Sequence, residues 1–332
     1  MKGYIEKLIA GQDLSALEME QAFENIMSGQ VPDVQIGAFL VALRAKGEKP
    51  DEIAAAARIM RAKALPVEVG CDVVDTCGTG GDGASTFNIS TAAAFVLAGA
   101  GYKVAKHGNR SVSSSSGSAD CLEALGVPIN LGPQEAAEAI RDKGFAFLFA
   151  PSYHPSMKFA MPARKQLGIK TVFNILGPLS NPAQAAYQLI GVFSRDLIMP
   201  MIETLKLLGL KGAMVVHSGI DEVCIVRPTE YARLSEGRIT TGTILPQDLG
   251  IRARSLEELR VGTPQESARL IKAVFTGEKR GACRESVLIN AGAAFMALGA
   301  VPDIQSGLGL AGRVIDEGAA LSALNRVRHM EG

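Results

Sequence analysis

The chain has no surplus charge: 34 Lys and Arg stand against 34 Asp and Glu over 332 residues. A neutral chain has no long-range field with which to gather a polyanion, so bulk charge gives no reason to expect nucleic acid as a partner, and any anion site has to be built locally. Cysteine is sparse. Cys71, Cys77, Cys121, Cys224 and Cys283 form no CxxC spacing and are odd in number, which argues for reduced thiols in a cytoplasmic protein rather than a disulfide framework. No His/Cys cluster suggests zinc; His217 reads as structural and His329 as part of a tail. Met1 to Ala10 carries charges where a secretory signal needs an apolar core, so no export signal is expected. The longest apolar stretches, such as Ala92 to Ala100, are too short to cross a bilayer, and no membrane partner is expected. There is no repeat and no low-complexity region, and the absence of tryptophan leaves a low fluorescence background.

What remains is ordinary globular composition, 47% apolar and 20% charged, at a length that suggests one large domain or two unequal ones. Residues 1 to about 65 read as consecutive helices. The second opens on a capping box, Ser15 with Glu18, and ends near Gly29. The third runs from after Pro32 to Gly47, and the fourth from Pro50 until it stops before Pro66. Four short helices bury only a modest core, so the third and fourth are expected to pack on something else. After Pro66 short β-branched runs alternate with helical stretches, which predicts a mostly parallel sheet covered by helices. A hairpin is expected around Glu236–Gly237, and a mostly helical tail from Pro264 to Val327. The segment from His154 to Gly168 reads as a helix kinked near Pro162 that returns to the N-terminal helices. The fold expected is therefore α/β: a small all-helical domain, 1–66 completed by about 155–183, and a large domain of 70–154 and 184–332 with a mostly parallel sheet covered by helices.

Four segments hold chemistry. Gly78-Thr79-Gly80-Gly81-Asp82-Gly83 follows a strand, and its glycines let backbone donors approach an oxyanion. It also fits GxGxxG literally. A dinucleotide site, however, needs its third glycine inside the next helix and an acid ending the next strand. Here the helix starts near Ser90, the strand ends in Lys106, and no Walker GK[ST] follows. Asn88-Ile89-Ser90-Thr91 stands where a helix begins; taken alone, its hydroxyls read as an N-cap, although a helix start is also an anion site. Lys106-His107-Gly108-Asn109-Arg110 ends a strand ahead of a run of serines and the helix start at Ser118. Asp221-Glu222 follows another strand; adjacent carboxylates are usually solvated, but facing phosphates they suit Mg²⁺. Three ligand-friendly junctions in succession fit a ligand with several phosphate charges.

In this order the segments resemble the anthranilate phosphoribosyltransferase family. The resemblance extends through Ala150-Pro151, His154-Pro155, Met157-Lys158, Pro162, Arg164, Leu167-Gly168, Phe173-Asn174, Leu176-Gly177-Pro178-Leu179 and Asn181-Pro182, and so covers nearly the whole chain. Departures are small: Lys170 stands where the family often has Arg, Ser152 and Ser156 fill variable places, and Arg227 replaces a more usual small residue.

The resemblance implies transfer of the phosphoribosyl group of phosphoribosyl pyrophosphate (PRPP) to the amine of anthranilate, in tryptophan biosynthesis, by a homodimer built on its helical domains. It implies that PRPP is surrounded by Gly78, Gly81, Asp82, Thr86, Asn88, Ile89, Ser90, Thr91, Lys106, His107, Gly108, Asn109, Arg110, Ser111, Val112, Ser113, Ser114 and Ser118. Gly78, Asn109, His154 and Arg164 are implied for anthranilate, and Ser90, Asp221 and Glu222 for two Mg²⁺ ions per monomer. No residue stands out as a general base; His107 is the one candidate, with a structural or substrate-contact role as the competing reading. Three alternatives stay open at this point. They are a pyrimidine nucleoside phosphorylase of the same fold, whose own signature is not evident; a non-catalytic nucleic-acid-binding relative; and a dinucleotide-dependent oxidoreductase, which NADH titration separates.

Overall fold

The computed structural model describes residues 1–81, 83–110, 116–251 and 255–328. It opens with α1 (Lys2–Ile9), α2 (Ala16–Met27), α3 (Asp33–Lys46) and α4 (Pro50–Ala62). The capping box forms as expected: Glu18 N donates to Ser15 Oγ at 3.3 Å and Ser15 N to the Glu18 carboxylate at 2.8 Å. Pro50 starts α4, where a missing N–H costs nothing. Buried Glu52 then knits the unit together, accepting from Leu14 N at 2.9 Å and Lys46 Nζ at 2.6 Å.

The alternating region follows. It contains β1 (Val74–Gly78), α5 (Ile89–Gly99), β2 (Val104–Gly108), α6 (Ser118–Leu125), α7 (Pro133–Lys143) and β3 (Phe145–Phe149), then α8 (Ala150–Tyr153), α9 (Met161–Leu167) and α10 (Phe173–Leu179). It continues through β4 (Tyr187–Gly191), α11 (Ile198–Leu207), β5 (Gly212–His217), β6 (Thr229–Ser235) and β7 (Arg238–Ile244). The tail is helical as expected: α12 (Pro264–Phe275), α13 (Ala282–Ala297), α14 (Ile304–Asp316) and α15 (Ala319–Arg328). The strands form one sheet in the order β3-β2-β1-β4-β5-β6-β7. It is parallel from β3 through β5 and antiparallel beyond. The hairpin turns at Glu236 and Gly237, whose φ values of +50° and +73° match the twist of the flanking strands.

Alternation along the strands sends successive side chains to opposite faces. Leu189, Met214 and Val216 join one apolar core with α5 and α13; Ile190, Val192, Ala213 and Val215 join another with α11 and the N-terminal helices. The helical unit thus shares its core with the sheet. α4 packs on α10 and α11, α3 packs on α9, and Phe23 meets Phe173 at 5.5 Å between ring centroids. The expectation of one helix kinked at Pro162 is corrected. Pro155–Phe159 forms a short 3₁₀ turn, the chain breaks at Ala160, and Pro162 lies in the first turn of α9, where proline is tolerated.

Chain order reverses at β1, which has β2 on one side and β4 on the other. In such sheets the crevice beyond the carboxyl ends of the two diverging strands is the place for a ligand. Among the described residues no helix is long and apolar enough to cross a membrane.

Candidate active site

Two glycines open that crevice. A Cβ on Gly191, at the end of β4, would overlap the backbone of Asp221; one on Gly78, at the end of β1, would overlap the Asp221 carboxylate. Their bareness lets the loop after β5 lie across both strand ends. Gly80 N donates to Asp221 Oδ2 at 2.8 Å, Thr79 N to Gly191 O at 2.9 Å, and Phe193 N to Thr79 Oγ1 at 3.0 Å. Gly80, Gly81 and Gly83 hold φ of +66°, +74° and +73°, a conformation that side chains rarely adopt. The loop returns through Thr86, which bridges to Arg260, and Phe87 N, which donates to Leu259 O at 2.8 Å. Asp82 lies outside the described residues.

The N-cap expectation for the next segment is corrected. Asn88 occupies the cap position of α5, and its side chain does no capping. Instead its Oδ1 accepts from Ser116 Oγ and Ser267 Oγ, both at 2.7 Å, so one amide ties α5 to α12 and to the approach to α6. Ile89, Ser90 and Thr91 form the first helical turn, and the N–H groups of Ser90 and Thr91 belong to the set that an α-helix leaves without intrahelical acceptors. Thr91 is fully buried, and among the described residues its hydroxyl has no partner.

Lys106, on β2, is buried with Nζ on the carbonyl of Thr76 and 3.3 Å from Ser90 Oγ. Burial holds it below the ordinary lysine range, and Asp75 opposes that. Asp75 is itself fully buried: Oδ1 accepts from His107 N at 3.2 Å and Oδ2 from Asn181 Nδ2 at 2.8 Å, and the same nitrogen reaches Ala105 O at 2.8 Å. Burial pushes this carboxyl up to about 6, against the pull of Lys106. His107 faces His154, Nε2 to Nε2 at 3.2 Å. One proton must lie between them, so one ring donates and the other accepts. Burial keeps both rings neutral, pushing His107 down to about 3, with His154 adding to the effect, and His154 down to about 4.

Gly108 leaves room for Ser118 Oγ, which donates to Asn109 O at 3.2 Å. The Arg110 guanidinium turns away along α6 to Asp120 and Glu123, at 2.6 Å from each. Ser111, Val112, Ser113 and Ser114 lie outside the described residues. Arg164, on α9, stacks 5.0 Å from the Phe173 ring, and among the described residues no carboxylate pairs with it. Lys170 reaches across to Gly81 O at 3.0 Å, its Nζ 3.6 Å from the Phe193 ring centroid.

The structure therefore brings together the glycine loop, the start of α5, Lys106 and Asp221. It pairs His107 with His154 and Asn109 with Ser118, and places Arg164 apart, on the helical side. His217 donates through Nδ1 to Val192 O at 2.8 Å and accepts at Nε2 from Gly219 N, a structural arrangement. Arg227 lies against Gly219, just ahead of the carboxylate pair. Among the described residues no three His, Cys, Asp or Glu side chains converge into a closed metal cage. Two adjacent carboxylates and a serine hydroxyl are an incomplete oxygen set, which fits Mg²⁺ because that ion completes its shell with phosphate oxygens and water.

A family model described as the helical bundle domain of a glycosyl transferase family matches residues 2–64, and one for the a/b domain of that family matches 70–321. The anthranilate phosphoribosyltransferase of Persephonella marina is 49% identical over 332 residues, covering 99% of this chain and 98% of that protein. The chain belongs to the anthranilate phosphoribosyltransferase family. The family enzyme of Moorella thermoacetica is 50% identical over 327 residues, covering 98% of this chain and 96% of that one. Among solved structures, the Thermus thermophilus anthranilate phosphoribosyltransferase superimposes with TM-score 0.92 at 42% identity, covering 98% of both chains. The Saccharomyces cerevisiae enzyme in complex with PRPP and Mg superimposes at 0.90 with 28% identity, covering 98% of this chain and 96% of that one.

Sequence reasoning about this family member gave no role to Asp75 or Asn181, although an acid inside an apolar strand was a signal. It missed Ser267, which nothing in the sequence marks, and noted Lys170 only as a departure.

Proposed function

We propose that the chain transfers the phosphoribosyl group of PRPP to the amine of anthranilate, in tryptophan biosynthesis, as a cytoplasmic enzyme. One observation carries the reading: the hydrogen bond from Gly80 N to Asp221 Oδ2, by which the glycine loop after β1 meets the carboxylate pair at the switch point of the sheet. PRPP is assigned to Gly78, Gly81, Asp82, Thr86, the Asn88–Thr91 turn, the Lys106–Ser114 segment and Ser118. Ser90, Asp221 and Glu222 are assigned to two Mg²⁺ ions, which would neutralise the departing pyrophosphate. Anthranilate is assigned to Gly78, Asn109, His154 and Arg164. The unpaired guanidinium beside Phe173 supports Arg164 as the partner of an aromatic carboxylate. The packing of α9 and α10 on the first helices supports counting about 155–183 with the helical domain.

Anthranilate's amine is already a neutral nucleophile, so the barrier lies in breaking the bond to pyrophosphate. Catalysis by this chain is then positioning and preorganised charge, with no strong base. His107, held neutral and hydrogen-bonded to another ring, is assigned a substrate-positioning role. The test is loss of anthranilate fluorescence with PRPP and Mg²⁺. Consumption that requires both PRPP and Mg²⁺ is expected, and no consumption overturns the assignment.

A further inference from the structure

We propose that Asn290 positions the Asp221–Glu222 carboxylates for metal. The inference rests on reading that pair as Mg²⁺ ligands. Asn290 sits in the middle of α13, fully buried between Ile289 and Ala291. Its Oδ1 accepts from Val223 N at 2.9 Å, and its Nδ2 donates to Val223 O at 2.9 Å. The remaining proton goes to Ser286 O, one turn back, at 2.9 Å. One side chain thus grips both polar groups of Val223, as a neighbouring strand would, and Val223 follows Glu222 directly.

Holding that residue at both ends fixes the peptide on the far side of Glu222 and hence the direction in which its carboxylate leaves the chain. The carbonyl of that same peptide is held as well, since Ser218 Oγ donates to Glu222 O at 2.8 Å, and on the other flank the backbone of Asp221 rests on Gly191. An amide suits this place physically. A buried polar side chain is costly unless satisfied, and here each donor and acceptor is used. A lysine would offer comparable donors but would repel the cation. α13 is also a stiff support, since its Gly292 packs backbone to backbone against Gly307 of α14.

Removing a group that orients metal ligands commonly weakens metal binding about 10- to 100-fold. The probe is Mn²⁺, read by loss of its free-ion EPR signal with PRPP present and anthranilate absent, against a protein-free blank. Asn290→Ala and Asn290→Leu are compared with wild type; leucine fills the same space and makes neither bond. Weaker Mn²⁺ binding by on the order of 10-fold or more is expected in whichever variant keeps the wild-type circular dichroism, with turnover recovering at high Mn²⁺. Wild-type Mn²⁺ affinity in a folded variant overturns the proposal. A double variant, Asp221→Asn with Glu222→Gln, separates the two levels. If it too keeps Mn²⁺ affinity, the metal reading itself fails; if it loses affinity while the Asn290 variants do not, only the positioning role fails.

Discussion

At the scale of single residues, the site depends on which buried polar groups have partners. Among the described residues Arg164 pairs with no carboxylate, and with Arg164 assigned to the substrate's carboxylate, Arg164→Ala is expected to raise the KM for anthranilate by roughly 30-fold, the equivalent of about 2 kcal/mol for a charge-assisted bond lost. The KM for PRPP should stay near wild type, and steady-state kinetics with each substrate varied decide it. The His107–His154 pair makes a pH prediction. Both rings are held well below the ordinary histidine range, to about 3 and about 4. A group depressed in the folded state contributes stability that is full above its unfolded value near 6.5 and is lost as pH falls toward the folded values. Stability should therefore drop by up to about 1.4 kcal/mol per ring per pH unit below pH 6. Urea midpoints at pH 7 and pH 5 measure this, and His154→Asn should show a visibly shallower loss; an unchanged slope rejects the account. The family resemblance implied a substrate site near these histidines but could not show that they touch. The positions of Lys106 and Asp221 at strand ends were legible because each closes or follows a short β-branched run. Ser267 and Asn290 were not, because a polar residue inside an apolar helix acquires meaning only from the partner that folding brings to it.

At the scale of elements, local chemistry predicted what local chemistry controls. The Ser15–Glu18 box, the Pro50 helix start and the Glu236–Gly237 turn each involve neighbours in the chain, and each formed. The stretch around Pro162 was misread because its apolar spacing continues through a break set by packing against α2 and α3. The strand ends permit a sharper test. Gly191→Ala places a methyl where the Asp221 carbonyl lies, at a residue with no backbone strain of its own, so its cost is purely steric. Destabilisation of about 1–3 kcal/mol is expected, the usual range for overpacking, together with weaker Mg²⁺ dependence. Gly3→Ala, where a methyl meets nothing within 4 Å, is the control and should be neutral or mildly stabilising in the same thermal-melt comparison.

At the scale of the whole molecule, the first helices carry apolar side chains that their shared core does not cover. Ile9 is 74% exposed, Leu17 72%, and Val34 84%, with Val41 on the same helix at 42%. A second copy of the chain is the proposed cover, in keeping with a homodimer built on this domain. Light scattering at dilute concentration should give twice the chain mass, and Val34→Asp should shift it toward the monomer; an active wild-type protein of monomer mass refutes the dimer.

The bond from Gly80 to Asp221 joins residues 141 apart in sequence, and the one from Asn88 to Ser267 joins residues 179 apart. Contacts of such separation require the closure of long loops before they return any stabilisation, so they form late. The helices need no such closure. During refolding the far-UV signal should therefore recover before the ability to consume anthranilate. A truncated chain that stops before α12 lacks Ser267, one of the two hydroxyls that hold Asn88, however much secondary structure it retains. On the ribosome the same separation means that the crevice at the strand ends cannot close until most of the chain has emerged.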